Sequence, residues 1–169
     1  MFADLLAAEG TELFGGKSEV LLQYNPSVGL SVDERDEKAV HKVFQALLEK
    51  NFEKDLARGR TTCGPHLDDY NLKLDNFEAG EFGSEGQCRM ISLALKLAAV
   101  DVLYEKKDAP LIMLVDDVLG ELDIERRHSF YRNFAKVSQV IVASTDVPAD
   151  LKDRASSIYR VQKGKAKRS

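Results

Sequence analysis

The sequence predicts an α/β protein with a mostly parallel sheet flanked by helices, and three stretches carry that expectation. Leu111–Val115 (LIMLV) and Gln139–Ser144 (QVIVAS) are short, largely apolar runs without strict alternation, as in strands buried on both faces. Gln87–Tyr104 is a long run of helix formers, apolar around most of its circumference, which should be buried against that sheet. Both strand-like runs end in polar groups: Asp116-Asp117 after the first, Thr145-Asp146 after the second. Ligands of open α/β sheets bind at the carboxyl ends of the strands. Two acids at that edge are well placed to hold a hard cation and to orient a water.

Composition narrows the class. The chain has 169 residues, is 44% hydrophobic and 31% charged, and carries a net charge of -4. These values describe one folded domain with a sizeable core and exclude a disordered chain. No global basic field announces nucleic acid. The exception is the end of the chain, 163–169, where Lys163, Lys165, Lys167 and Arg168 read as a solvated, frayed basic tail. Cys63 and Cys88 form neither a CxxC pair nor a disulfide framework, which fits a reducing compartment. With no signal peptide and no apolar run of membrane length, a cytoplasmic location is expected.

Taken in order, Phe2–Leu13 places Phe2, Leu5, Leu6 and Leu13 at helical spacing. Gly15-Gly16-Lys17-Ser18 imitates a phosphate loop. That motif needs a Gly where Thr11 stands, a strand before it and a helix after it. Here a strand-like alternation from Val20 to Tyr24 follows, so the segment reads as a turn into a strand. After a Pro/Gly loop, Asp33 is expected to cap a helix from Glu34 to Arg58 that stops at Gly59. Val40, Val43, Phe44, Leu47, Leu48, Phe52 and Leu56 give that helix an apolar face.

Cys63, His66, Asp68 and Asp69 resemble a metal cluster only superficially. Nothing completes the set at zinc spacing, and Gly64-Pro65 marks a tight turn. Tyr70, Leu72 and Leu74 alternate as a half-buried strand. Gly83, Ser84 and Gly86 then surround the first turn of the 87–104 helix. Small residues there leave backbone N–H groups open to an anion, Ser84 adds a hydroxyl, and the helix dipole favours negative charge. The plainer reading is a Ser N-cap in a Gly-rich loop. Ile124–Val137 should be a helix with Phe130, Phe134 and Val137 inward. A short helix over Pro148–Arg154 follows, then an edge strand over Ser157–Gln162 with Ile158 and Val161 partly covered.

An anion-ready helix start, an acidic pair after a strand and a polar end on a second strand therefore occur in one order. With these residues the chain resembles the C-terminal half of the ATPase head of the RecF family of bacterial DNA repair proteins, relatives of ABC-type and SMC-like ATPases. The matching segments are Thr62–Asp69 with its GPHxDD core, Gly83–Gln87 (GSEGQ) followed by Arg89 and Leu93–Ala98 (LALKLA), Leu114–Asp123 (LVDDVLGELD) and Ala143–Asp146 (ASTD). The resemblance implies a partial P-loop ABC-type ATPase head with the remnant of a helical arm. Residues 1–59 would be arm or junction, 60–162 the C-terminal ATPase lobe, and 163–169 the tail.

It further implies ATP sandwiched between two heads. Asp116 would help hold Mg²⁺ at the Walker B position, and Asp117 would orient or deprotonate the attacking water. Ser84, Gly86 and Gln87, in the signature, would approach the γ-phosphate held by the other head. Asp123 would lie in the D-loop, and Thr145 at the switch position, where it can hydrogen-bond but not shuttle a proton. The implied partners are DNA at junctions, RecO and RecR, and a second head in an ATP-dependent dimer, with no membrane.

Two residues depart from the family pattern. Leu67 stands where an Arg is frequent, and Glu85 puts a carboxylate beside the phosphate site, which opposes anion binding unless it is paired. The family's Walker A loop has no counterpart here, so the chain is expected to be a fragment or truncated product that does not hydrolyse ATP alone. The competing expectation is a truncated, non-catalytic module that docks on another ATPase head. An ABC transporter head fits less well, because the acids are Asp-Asp and the GPHxDD loop is out of place there.

Overall fold

The structure, a computed structural model, describes residues 1–29, 36–106 and 109–168. Helix α1 (Phe2–Leu13) buries Leu6, Glu9, Gly10 and Leu13 on one side. Strand β1 (Val20–Asn25) follows it closely. A Cβ on Gly10 would sit 2.6 Å from Val20 Cγ2, so only glycine lets the helix approach its strand this far. Between them Gly15 and Gly16 adopt φ of 65° and 72°. The Gly16 N–H donates back to the Thr11 carbonyl at 2.8 Å, and the Gly15 N–H to that of Glu12 at 3.1 Å. The GGKS stretch is thus a left-handed helix stop leading into a strand, the reverse of a phosphate loop.

Helix α2 (Glu37–Arg58) begins three residues later than expected. Asp33 lies outside the described residues. The observed cap is Asp36, whose carboxylate accepts from the N–H groups of Lys38 and Ala39 at 3.1 Å. Gly59, at φ 64°, closes the helix as expected. Its apolar face is a departure: no residue of α2 is buried, and Phe52 and Leu56 stand exposed. Val40, Val43, Phe44, Leu47 and Leu48 are half-buried, so the apolar face is covered only in part.

Strand β2 (Asp69–Leu74) pairs antiparallel with β1, from Val20 opposite Leu74 to Asn25 opposite Asp69. A turn at Asp75-Asn76, with φ of 51° and 70°, returns the chain to β3 (Phe77–Glu78). The short α3 (Ala79–Phe82) then leads into α4 (Glu85–Lys106). Met90, Ile91, Leu93, Ala94, Leu97, Ala98 and Asp101 form the buried side of α4, lying on α1. Its other side is open at Leu103 and Tyr104, so the helix is central but not enclosed.

Strands β4 (Ile112–Asp116) and β5 (Gln139–Ala143) are parallel, with Ile112 opposite Gln139 and Asp116 opposite Ala143. They are joined through α5 (Ile124–Arg132) and a 3₁₀ turn over Asn133–Lys136. The α/β class and the parallel pairing stand, while the remaining described strands pair antiparallel. Met113 and Val115 enter the same core as Leu6, Leu97 and Phe130. Burial on both faces is overturned: Ile112 is 61% exposed, Leu114 74% and Ile141 50%. Helices cover one side of this pair, and no described element covers the other.

α1 and β1, assigned from sequence to an arm or its junction, share this core with α4 and β4. A polar tie crosses it. Lys136 Nζ donates to Asn133 Oδ1 at 2.8 Å, to Glu9 Oε1 at 3.2 Å and to Asp101. Helix α6 (Ala149–Lys152) buries Leu151 against the core. The chain ends in a hairpin, β6 (Tyr159–Gln162) and β7 (Lys165–Arg168), so the segment expected to fray is a strand. Val161, expected to be partly covered, is exposed. No described helix is long and apolar enough to cross a membrane.

Candidate functional site

The parallel pair carries its polar groups to one edge. Asp116 closes β4 opposite Ala143. The N–H of Asp117 donates to the Ala143 carbonyl at 2.9 Å, extending the ladder one residue past the strand. Asp117 has φ 52°, in the left-handed region that Asp tolerates far better than most residues. Both carboxylates are exposed. Thr145, two residues beyond Ala143, is exposed as well. With Ser144 and Asp146 it lines a cleft of about 470 Å³, whose other walls include Gly120, Ile124 and Arg127. The Arg127 guanidinium donates to Asp150 at 3.2 Å across that cleft. The Asp150 carboxyl stays below its ordinary range. Partial burial works against ionisation there, but its own backbone N–H and the side chains of Tyr131 and Arg127 outweigh it.

The start of α4 is built differently from its sequence neighbours. The Ser84 N–H donates to Gln87 Oε1 at 2.8 Å, and the Gln87 N–H donates to Ser84 Oγ at 3.3 Å. This reciprocal pair is a capping box. Gln87, expected to face nucleotide, has its Oε1 engaged with the helix start, which leaves its side-chain N–H donors. Ser84 accepts with a lone pair, which leaves its hydroxyl proton to donate elsewhere. Helix geometry gives the N–H groups of Glu85 and Gly86 no intrahelical acceptor. The two glycines of the motif serve different ends. A Cβ on Gly83 would meet the Ala79 carbonyl oxygen at 2.5 Å, so the fold requires that glycine. A Cβ on Gly86 would meet nothing within 4 Å. Packing does not explain Gly86; open space over a helix N-terminus does suit an incoming anion.

Glu85 is paired. Its carboxylate accepts from Arg89 Nη2 at 2.5 Å, while Arg89 Nη1 donates to Glu121 Oε1 at 2.6 Å. Arg89 thus neutralises the carboxylate that seemed to oppose phosphate, and it bolts the first turns of α4 to the 3₁₀ turn Leu119–Glu121 behind the acids. Sequence reasoning missed this role. The spacing of Glu85 and Arg89, four apart on a helix, was the available signal.

Asp123 caps α5, accepting from the Arg126 N–H at 2.9 Å and from Arg126 Nη1 at 2.8 Å. Arg126 Nε also donates to the Leu13 carbonyl at 3.0 Å, tying that corner to the end of α1. The Cys63–Asp69 loop is held by local hydrogen bonds. His66 contacts Thr61 Oγ1 at 3.2 Å. Asp68 accepts from the Tyr24 hydroxyl and from the Ser27 N–H at 2.8 Å, and these bonds, Tyr24's first, hold its carboxyl below the ordinary range. Among the described residues no three His, Cys, Asp or Glu side chains converge as metal ligands. Asp116 and Asp117 present two exposed carboxylates side by side at this strand edge.

No family model matches the chain. The DNA replication and repair protein RecF of Alkaliphilus oremlandii is 36% identical over 142 residues, which are 83% of this chain and 39% of that protein. RecF of Staphylococcus carnosus is 34% identical over 145 residues, 85% of this chain and 39% of that one. RecF of Lactobacillus acidophilus is 30% identical over 157 residues, 91% and 42% respectively. The fold superposes on the solved structure of the recombination mediator protein RecF-ATP in the RecFOR pathway with a TM-score of 0.76, over 99% of this chain and 43% of that one, at 21% identity. The RecF-ATPrS structure gives 0.74 and 22% over the same shares. The chain therefore spans about two fifths of the length of these relatives. By sequence over most of its length, and by fold over nearly all of it, this polypeptide belongs to the RecF family and corresponds to the C-terminal part of those proteins.

Proposed function

We propose that this chain is the part of a RecF-like DNA repair and recombination ATPase that supplies the signature helix, the Walker B acids and the D-loop to ATP bound between two heads. The reading is carried by the bolted arrangement of the polar edges: Arg89 fastens the anion-ready start of α4 to the turn behind Asp116 and Asp117, and the Asp117 N–H fastens those acids to the strand that leads to Thr145. Three polar groups far apart in sequence are thereby brought to one side of the fold.

Within it, Ser84 donates its hydroxyl proton to a γ-phosphate oxygen, and the N–H groups at Glu85 and Gly86 add helix-end donors. Mg²⁺, when bound with nucleotide, supplies charge neutralisation at the phosphates. Asp116 holds its hydrated shell. Asp117 orients the attacking water and accepts its proton. Thr145 hydrogen-bonds the water or phosphate, and Asp123 faces the second head. A phosphate loop from another segment cradles the remaining phosphates, since the GGKS turn does not. The parent protein acts on DNA junctions in the cytoplasm with RecO and RecR.

The test is reconstitution. The chain should show no ATPase activity alone and should gain it when combined with the phosphate-loop segment of a RecF relative. Asp117→Asn should then lower turnover at least about 100-fold while nucleotide binding persists. Undiminished turnover in Asp117→Asn would remove the assigned role. Association with that segment that is indifferent to ATP would favour a non-catalytic docking module.

A further inference from the structure

The hairpin β6–β7 has no part in the nucleotide site, yet it concentrates charge in an acidic chain. From Arg154 onward there are six cations, Arg154, Arg160, Lys163, Lys165, Lys167 and Arg168, and no acidic side chain, although the chain's net charge is -4. The register places Arg160 opposite Lys167 and Gln162 opposite Lys165. Paired residues share a face, so one face of the ribbon holds three cations and one amide, with no apolar residue. Like charges directly across an antiparallel pair repel, so packing within the ribbon does not explain the arrangement. Nor does the rest of the fold: every residue of β6 and β7 is exposed, and neither strand forms an ion pair with the described acids.

We propose that this ribbon is a nucleic-acid contact whose Arg160, Lys165 and Lys167 face engages the phosphate backbone of double-stranded DNA. The inference rests on the RecF-like reading for its choice of polyanion. Geometry supports the choice. A two-stranded ribbon fits the major groove of B-form DNA, and among the described residues this one carries no third strand along either edge. Lys165 and Lys167 are two residues apart on one strand, hence about 6.8 Å apart on one face, roughly two base-pair steps along the duplex axis. A membrane surface fits less well, because the opposite face offers only Tyr159, Val161 and Ala166 beside Arg168, a small apolar area to insert.

The contact requires no nucleotide, which separates its test from that of the ATPase reading. Fluorescence anisotropy of a labelled 30-base-pair duplex with the full chain, without ATP, should show salt-dependent binding. Arg160→Gln/Lys165→Gln/Lys167→Gln should weaken it at least about tenfold and reduce the slope of log affinity against log salt by about 3. The same three substitutions at Lys42, Lys50 and Lys54 of α2 should change affinity less than about twofold. Circular dichroism melting of both variants checks that they fold. Should the hairpin variant not fold, the single Lys167→Gln, with an expected slope change of about 1, decides. Absence of duplex binding, equal loss in the α2 control, or binding to phosphatidylserine vesicles in place of DNA would each overturn the proposal. Failure of ATP-dependent association with DNA binding intact would count against the ATPase reading alone.

Discussion

Arg89 shows how one side chain can reconcile a motif with an apparent flaw. Glu85 would repel phosphate if left alone, and Arg89 offsets it while holding Glu121 with its other amine. Because Arg89 and Glu121 are half exposed and Glu85 is 82% exposed, the pair adds little to stability, at most about 1 kcal/mol. Its influence should fall on the anion. In the reconstituted site, Arg89→Gln is expected to weaken ATP-dependent association about fivefold with a melting shift under about 4 °C, and Glu85→Gln/Arg89→Gln should recover most of the loss. A double variant no better than the single would mean that Glu85 lies away from the phosphate. At Asp117 the left-handed backbone selects the probe: Asn tolerates φ 52° as Asp does, whereas Ala would mix strain with loss of the carboxylate. Much of this was legible. A strand ending in acids, and the S-x-x-Q spacing of the Ser84–Gln87 capping box, are written in the chain. The Arg89–Glu121 bond joins residues 32 apart, which no local periodicity encodes.

At the scale of elements, the tie among α1, α4 and the 3₁₀ turn after α5 puts charge inside the core. Burial pushes the Glu9 carboxyl up, against the pull of Lys136. Burial also opposes the charged Lys136, but Asp101 and Glu9 outweigh it and raise its pKa. The raised ammonium contributes stability throughout the neutral range and loses it only as pH rises through its folded value in alkali. Lys136→Met leaves two nearly buried carboxylates without a cation. It should cost about 3 kcal/mol, lowering Tm by roughly 10 °C near pH 7. A carboxylate whose folded pKa is raised favours the fold when protonated and disfavours it as pH climbs, so the deficit should shrink as pH falls from 7 toward 4.5. Thermal melts across that range check it, and a deficit independent of pH would refute the charge argument. Sequence periodicity located these helices well, including the stop at Gly59. It misjudged their surroundings, because an apolar pattern says which face is to be covered and not whether anything covers it. The outer face of β4 is open, and the apolar face of α2 is covered only in part.

For the whole molecule, the uncovered side of β4–β5 is the feature with the widest reach. Ile112, Leu114 and Ile141 form an apolar surface on strands whose other side is core. Such a surface promotes self-association in the isolated chain. Leu114→Lys/Ile141→Lys should reduce concentration-dependent association in sedimentation without lowering Tm, since neither side chain is buried; a fall of more than about 5 °C would show that they support the fold. The unbroken apolar run LIMLV led to an expectation of burial on both faces, which holds only for the face of Met113 and Val115. Only three-dimensional packing reveals that the described chain covers one of them.

The bonds from α1 to the far part of the chain also set a timetable. Glu9 meets Asn133 and Lys136 across 124 and 127 residues, and the Leu13 carbonyl meets Arg126 across 113. At ribosomal speeds of about 5–20 residues per second, the intervening chain takes roughly 6–25 s to emerge. Throughout that interval Leu6 and Leu13 are made but lack part of their final cover, and Glu9 has no cation. Helix α1 is therefore written well before the partners that complete it, and a nascent chain stalled before residue 126 would present that helix unfinished to whatever binds unfolded segments.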